Sequence, residues 1–362
     1  MPLLRELRRV NPEARIWVLT TETGREVLRS SGDADRVLVL DKRWDRRGVR
    51  SCARVLRELR EAGMDAAVAA QRSFRTGWIV RLSGARLRIG FRGAPGTLFY
   101  NRRVERDPTR HATRRYLDLA GPLGGDPHAA DPRPHLAVEP GADERVRRLL
   151  RRHGVRTTDG LLCVAPGSVW ATKRWLPEGY AQVVQAAARR GLVPLMIGAA
   201  GDRDLCRRVA AMAGSPPVLA GETSIPDLVA LVARARMVIA NDSGAAHVAS
   251  AVGTPVVSVF GSTVPELGYA AHGPHTRVVE HPTLDCRPCG RHGAPRCPLG
   301  HFRCMSEVRA EWVLGRMDEL LEATIPPLEV PAMTASVAGP RVVPRPRARS
   351  RADQPRPGLA PG

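Results

Sequence analysis

The feature that most constrains the fold is an alternation of short apolar runs with longer amphipathic segments along the 362 residues. In the second half the apolar runs are almost continuous, for example LLCVA at 161–165. Such runs are typical of strands that are covered on both faces, as in parallel sheets. Helices of 10–15 residues between them indicate βαβ units. We therefore expect an α/β fold with doubly wound parallel sheets.

The expected strands and helices follow from this periodicity. The strands are predicted at 14–20, 36–40, 65–69, 87–90, 161–165, 193–197, 217–219, 237–240 and, as the last clear strand, 255–260. The main helices are predicted at 3–9, 52–62, 177–190, 225–233, 244–252 and, closing the fold, 306–321. The basic stretch at 92–115 is predicted to consist mainly of loops.

Composition shifts divide the chain. A segment rich in Pro, Gly, Asp and His separates the two halves and predicts a linker at 126–142. This gives an N-terminal Rossmann-like domain at 1–125 and a C-terminal one at 143–325. Residues 326–362 contain mainly Pro, Arg and Ala without a periodic apolar face, which predicts a disordered basic tail.

The net charge of +20 favours anionic partners, either nucleic acid, a membrane surface or phosphorylated substrates. Only Lys42 and Lys173 are lysines, and this use of Arg also fits GC-rich coding bias. With 4% aromatic residues and no recognisable module, nucleic acid is not the expected partner. Neither an apolar run of about 20 residues nor a signal peptide is visible. An odd number of cysteines fits a reducing compartment, so we expect a cytoplasmic protein.

The first local motif is NDSGAAH at 241–247, between an apolar strand and a helix. Asp242 and Ser243 suit the start of a helix, and Gly244 lets a ligand approach the backbone. The free N–H groups and dipole of the helix would attract a pyrophosphate there. His247, one turn later, would face the same side. Equally, the polar residues could only cap the helix, with His247 packed in the core.

The second motif is PGSVWATKRW at 166–175, which also follows a strand and precedes a helix. Lys173 is notable because this chain uses Arg almost everywhere else. An ammonium is a compact point charge that a guanidinium does not replace geometrically. We interpret this loop as a phosphate loop with Lys173 as its charge. Two such loops in one doubly wound domain predict a nucleotide site at the carboxyl edge of a sheet. Neither loop has the G-x-G-x-x-G or Walker pattern, which disfavours dehydrogenases and ATPases.

Four cysteines cluster late in the chain. Cys286, Cys289, Cys297 and Cys304 could hold a structural zinc ion in tetrahedral geometry. Their second spacing is not the usual C-x-x-C pair, which argues against zinc.

Several segments together resemble the ADP-heptose:lipopolysaccharide heptosyltransferases. They are MVIANDSGAAHVASAVGTPVVSVFGSTVPE, APGSVWATKRWLPEGYAQVV, GETSIPDLVALVARA and, more weakly, two N-terminal stretches. The cysteine cluster with CPLGHFRCM is similar to the type II members. The resemblance covers roughly residues 2–322 and implies a GT-B fold of two Rossmann-like domains that face each other across a cleft.

The resemblance also implies a reaction, the inverting transfer of heptose from ADP-heptose to the phosphorylated lipid A–inner core acceptor without a required metal or cofactor. Lys173 would stabilise the departing phosphate. The implied donor-binding residues are Ser168, Val169, Lys173, Thr223, Asp242, Ser243, Gly244 and His247. Arg72, Arg75, Arg102 and Arg103 are the candidates for binding the acceptor. Charge and the lipid-linked acceptor suggest peripheral contact with the inner leaflet of the inner membrane.

The start of the chain departs from this family. Members begin with a short strand and a Gly-Asp loop, and the Asp of that loop is thought to act as the general base. This chain starts after it, so we expect the base to precede Met1 and the first strand to be missing. Two alternatives stay open: a relative that binds sugar nucleotide with little activity, and a transferase with another donor or acceptor.

Overall fold

The fold is described from a computed structural model, which covers residues 1–43, 45–157 and 159–323. The tail predicted at 326–362 lies outside these residues. The helices are α1 (Pro2–Val10), α2 (Glu22–Arg29), α3 (Arg46–Ala62), α4 (Phe74–Leu82), α5 (Ala112–Leu117), α6 (Ala142–Arg152), α7 (Pro177–Arg189), α8 (Arg203–Met212), α9 (Ile225–Arg234), α10 (Gly244–Val252), α11 (Arg303–Ser306) and α12 (Ala310–Glu322). The strands are β1 (Trp17–Thr20), β2 (Arg36–Val39), β3 (Ala66–Ala69), β4 (Leu87–Phe91), β5 (Arg102–Val104), β6 (Leu161–Ala165), β7 (Val193–Met196), β8 (Met237–Asn241), β9 (Val256–Phe260) and β10 (Thr276–Glu280).

The second half is built on one five-stranded sheet in the order β10-β9-β8-β6-β7. All of its strand pairs are parallel. The three central strands are buried along their whole length, which explains their continuous apolar sequence. Successive side chains point to opposite faces. Val238 packs with α6, α9 and α10, whereas Ile239 packs with α7, α8 and α12. The α/β fold with a parallel, doubly wound sheet is confirmed here.

The first half contains two smaller parallel sheets. β1 pairs with β2, and β3, β4 and β5 form a separate three-stranded sheet in that order. Helix ends follow local chemistry. The carboxylate of Asp45 accepts the N–H groups of Arg47 and Gly48 at 2.9 Å each, and α3 ends at Gly63 with φ +64°.

Several elements differ from the prediction in extent or were not predicted. A further strand, β10, follows 255–260, and its half-buried sequence TRVVE gives only a weak apolar signal because it lies at the sheet edge. The helix predicted at 306–321 is present as α12, but it begins four residues later, after the short α11. The stretch at 92–115 consists mainly of loops, as predicted, around β5 and the start of α5, and α2, α4 and α6 are helices that the periodicity did not predict.

The two halves contact each other through backbone hydrogen bonds. The N–H of Ala112 donates to the carbonyl of Gly268 at 2.7 Å, and that of Leu136 donates to Ala251 at 2.9 Å. The division at 126–142 stays a prediction. None of the described helices combines the length and the apolar character that crossing a membrane requires.

Candidate functional site

The two motifs meet at the carboxyl edge of the C-terminal sheet. The loop that contains Lys173 follows β6, and Asp242 follows β8, which is the neighbouring parallel strand. Nζ of Lys173 pairs with Oδ2 of Asp242, and these side chains are only 14% and 10% exposed. Thr263 Oγ1 donates to the same carboxylate oxygen at 2.8 Å. A cation is thereby held beside the start of α10.

The start of α10 has room for a ligand. Ser243 occupies the N-cap position, but its side chain makes no capping hydrogen bond. The first helical residue, Gly244, is exposed, and a Cβ atom there would meet nothing within 4 Å. The alternative that Ser243 only caps the helix is therefore not realised. The backbone N–H groups of the first turn and the positive dipole end are available to an anion.

His247 lies one turn into α10 and is exposed to water, so it is not a packed core histidine. Desolvation by the surrounding protein lowers its pKa below the usual 6.5, while Asp242 raises this pKa and Lys173 lowers it. The net direction is downward, so the ring is neutral at pH 7. A neutral imidazole can donate one hydrogen bond and accept another, which suits contact with sugar hydroxyls.

Asn241 joins the two loops. It is fully buried, and its Oδ1 accepts the backbone N–H of Trp175 at 2.9 Å. Its Nδ2 donates to the carbonyl of Pro166 at 2.8 Å. One amide therefore holds both ends of the 166–175 loop against the end of β8. Asn241 is not among the site residues predicted from the sequence. The one sequence feature that indicates its role is the amide at the end of an otherwise apolar strand, MVIAN.

A distant segment supports the loop from behind. Thr172 Oγ1 donates to the carbonyl of Ala294 at 2.9 Å and accepts the Ala294 N–H at 2.8 Å. Ser262 Oγ hydrogen bonds to the same hydroxyl at 3.0 Å. A Cβ atom on Gly293 would lie 3.0 Å from Cγ of Lys173, so Gly293 packs closely on the lysine stem. Thr172, Ser262 and Gly293 were also missed, because no local pattern indicates a contact over 122 residues.

The remaining donor candidates lie along the same edge. Ser168 is half-buried after β6, and Val169 is 88% exposed. Thr223 is half-buried and follows the bridge of Val218 to β7. The order Val218, β7, β6, β8 spans three strand spacings, or about 14 Å. The structure thus places the donor candidates along one edge of the sheet.

The four arginine candidates are not brought to one place. Arg72 and Arg75 lie at the carboxyl end of β3, where Nη2 of Arg72 donates to the carbonyl of Gly93 at 3.1 Å. Arg102 and Arg103 lie within β5, and adjacent residues of a strand point to opposite faces. Arg102 and Arg103 therefore point to opposite faces of the sheet, and the acceptor role of the four arginines stays a prediction.

The cysteines do not form a metal centre. All of the described cysteines are free, and the described residues include no group of three or more His, Cys, Asp or Glu side chains placed to hold a metal ion. The zinc site considered at Cys286, Cys289, Cys297 and Cys304 is therefore not supported. Cys304 is instead buried in the core below the sheet, where burial raises its pKa to about 11.

Comparison with known proteins bears on this site. Residues 52–296 match the model of glycosyltransferase family 9 (heptosyltransferase). The lipopolysaccharide core heptosyltransferase OpsX of Haemophilus influenzae is 29% identical over 282 residues, covering 74% of this chain and 73% of the relative. The lipopolysaccharide heptosyltransferase 2 of Salmonella typhimurium is 26% identical, with coverage of 73% and 79%.

Solved structures share the fold. The crystal structure of a family 9 glycosyl transferase from Veillonella parvula aligns with a TM-score of 0.77 at 24% identity, covering 89% of this chain and 92% of that one. The GT-B fold implied by the resemblance is thereby confirmed. The family match spans both polar loops and more than half of the sequence. This chain belongs to glycosyltransferase family 9, the heptosyltransferase family, and is a glycosyl-transferring enzyme.

Proposed function

We propose that this protein transfers heptose from ADP-heptose to the inner core of lipopolysaccharide, with inversion. The observation that carries the proposal is the Lys173–Asp242 pair beside the open start of α10. The names of the relatives from Haemophilus influenzae and Salmonella typhimurium support the same substrate class.

The donor would lie along the carboxyl edge of the C-terminal sheet. Its diphosphate contacts Lys173 and the first N–H groups of α10, and its sugar lies near Asp242 and His247. Ser168, Val169, Ser243 and Gly244 complete the phosphate and sugar contacts, and Thr223 lies on the nucleoside side. As the glycosidic bond breaks, negative charge develops on the departing ADP. A fixed ammonium and a helix dipole stabilise that charge without reorganisation.

The acceptor would approach from the N-terminal half. Arg72 and Arg75 at the end of β3 suit its phosphates, because guanidinium groups bind phosphate in a bidentate manner. Arg102 and Arg103 point to opposite faces of the sheet, so only one of them contacts an acceptor bound on a given face. The identity of the base that removes the proton from the acceptor hydroxyl stays a prediction.

Within this proposal we assign the protein to the type II heptosyltransferases and the reaction to a mechanism that needs no metal ion. The motif CPLGHFRCM, which is similar to type II members, supports the type. Metal independence is supported by the position of Lys173, since an ammonium supplies the charge that a metal ion would supply at a leaving diphosphate. We further propose the domain limits 1–125 and 143–325 and a cytoplasmic protein in contact with the inner leaflet of the inner membrane.

A transfer assay tests this proposal. Purified protein is incubated with ADP-heptose and either heptose-free or mono-heptosylated inner-core lipopolysaccharide, and the products are analysed by mass spectrometry. We expect a mass increase of one heptose on the mono-heptosylated acceptor alone. Transfer to the heptose-free acceptor would contradict the type II assignment. Binding of ADP-heptose without transfer to either acceptor would favour a sugar-nucleotide-binding relative, and no binding would contradict the donor.

A further inference from the structure

An exposed apolar surface on the N-terminal half has no role in the donor site. Phe74 and Trp78 on α4 are 58% and 42% exposed, and Leu98 in the turn that follows β4 is 80% exposed. Phe74 packs edge-on against Phe99, with ring centroids 5.2 Å apart. We call Phe74, Trp78, Leu98 and Phe99 the aromatic patch. The chain has only 5 Phe and 6 Trp, so exposure of these side chains calls for an explanation.

The aromatic patch is contiguous and firmly supported. Phe74 and Trp78 are four residues apart on one helix, so their side chains are neighbours. A Cβ atom on Gly77 would lie 2.7 Å from Cα of Gly96, so α4 and the 94–99 turn touch backbone to backbone. Ser73 caps α4 by accepting the N–H of Thr76 at 3.1 Å. The apolar side chains are thus displayed on a rigid base.

The segment that carries the patch is strongly basic, although Arg86 and Arg92 pair with Asp65 and Glu105 at its two ends. Residues 66–104 contain eight arginines and no Asp or Glu. Arg81 lies three residues beyond Trp78 on α4, on the same face. Arg81 and Arg103 are exposed and make no salt bridge with the described part of the chain. Aromatic side chains surrounded by unpaired arginines are typical of protein surfaces that sit in the headgroup region of an anionic bilayer.

We propose that the aromatic patch docks this protein on an anionic phospholipid surface, with Phe74, Trp78 and Leu98 in the headgroup–acyl boundary and Arg81 on lipid phosphates. Trp and Phe suit this boundary because it accepts large apolar rings beside polar groups. A second copy of the chain is a poor occupant, because two positive surfaces would repel each other. The segment 324–362 carries six Arg against two acidic residues, so it is repelled for the same reason.

This inference names the surface that makes the membrane contact suggested under the proposed function, and so it rests on that location. Vesicle flotation tests it on the full chain, without sugar nucleotide or acceptor. The vesicles contain phosphatidylglycerol and phosphatidylethanolamine, and phosphatidylcholine vesicles serve as the neutral comparison. We expect binding to the anionic vesicles that weakens as salt rises. Equal binding to both vesicle types, or binding to neither, would overturn the proposal.

Matched variants locate the contact. The double variant Phe74→Ser/Trp78→Ser should bind anionic vesicles at least about tenfold more weakly. Arg81→Glu should weaken binding at least about fivefold. Leu299→Ser and Arg189→Glu change equally exposed residues outside the patch and should bind like the wild type. Unchanged ADP binding by every variant shows that the fold is intact.

Three results would overturn the patch assignment. The first is wild-type vesicle binding by the double variant, and the second is an equal loss in the Leu299→Ser control. The third is a single-stranded oligonucleotide that binds with the same dependence on Phe74 and Trp78 while vesicles do not. Failure of heptose transfer would leave the vesicle result untouched, so the two proposals fail separately.

Discussion

Lys173 and Asp242 form a salt bridge between two loops that follow adjacent parallel strands, and both side chains are largely shielded from water. The pair joins the only lysine of the C-terminal half to the residue directly before the N-cap of α10. In the proposed donor complex a diphosphate would compete with Asp242 for the ammonium, so donor binding would act on the protein at this bridge.

Asn241→Ala should weaken both the fold and the donor site. The substitution leaves the Trp175 N–H and the Pro166 carbonyl buried without their partner. We expect the free energy of unfolding to fall by about 2–4 kcal/mol in chemical denaturation. The Kd for ADP, measured by calorimetry, should rise about tenfold because the 166–175 loop is released.

The matched control is Asn101→Ala, which removes an amide that bonds Arg88 and Arg86 in the first half. It should leave the affinity for ADP unchanged. If both alanine variants bound ADP like the wild type, Asn241 would have no positioning role.

Gly293→Ala should displace Lys173. Gly293 has φ +86°, and a Cβ atom there would press on the lysine stem at 3.0 Å. Gly300 also has positive φ, at +76°, but a Cβ atom there meets nothing within 4 Å. The positive φ therefore lowers the free energy of unfolding of both alanine variants by a similar amount, about 1 kcal/mol. Only Gly293→Ala should raise the Kd for ADP, by about fivefold or more, and equal effects would refute the packing role.

His111 should make stability depend on pH. Burial lowers its pKa, its bond to the Ala270 carbonyl raises the pKa, and His272, Arg115 and His247 lower it. The unfolded chain therefore binds more protons between the lowered pKa and 6.5, so the free energy of unfolding rises with pH across this window. Protonation of His111 at Nδ1 also breaks the hydrogen bond that this atom accepts from the Thr113 N–H.

The check is denaturation of His111→Gln at several pH values between about 5 and 7. Its stability should rise less steeply with pH than that of the wild type, with a residual slope from His247 in the same direction. If the stability of His111→Gln rose with pH as steeply as that of the wild type, the pKa of His111 would not change on unfolding.

Chelation should leave transfer unaffected. If Lys173 and the start of α10 supply the charge at the leaving diphosphate, initial rates with and without EDTA should agree within about twofold. The same preparation is analysed for zinc and iron. A rate that collapses with EDTA and returns with an added divalent ion would contradict the proposed role of Lys173.

The sequence predicts the C-terminal sheet well because its central strands are buried on both faces and carry no polar interruption. Two strands at the edges of the sheets are not predicted from the sequence. β10 is half-buried and β5 is only three residues long, so neither has a strong period. The positions of the two polar loops, at 166–175 and 241–247, can also be predicted, since each loop follows a strand and precedes a helix.

The contacts that join the two loops cannot be predicted from the sequence. Nothing local shows that the Asn241 amide bonds residues 66 and 75 positions away, or that Thr172 bonds Ala294. Such contacts depend on which strands are neighbours, and strand order is a property of the whole fold. The same limit applies to Arg102 and Arg103, because only the strand that contains both shows that they point to opposite faces of the sheet.

The most direct test of the account is calorimetric titration of the protein with ADP-heptose. The wild type should bind, and Lys173→Met should bind about 10- to 100-fold more weakly, as expected for the loss of a charge-assisted contact to phosphate. Lys42→Met removes the only other lysine and should bind like the wild type. If Lys173→Met bound ADP-heptose as tightly as the wild type, the donor site would not be where the two loops meet.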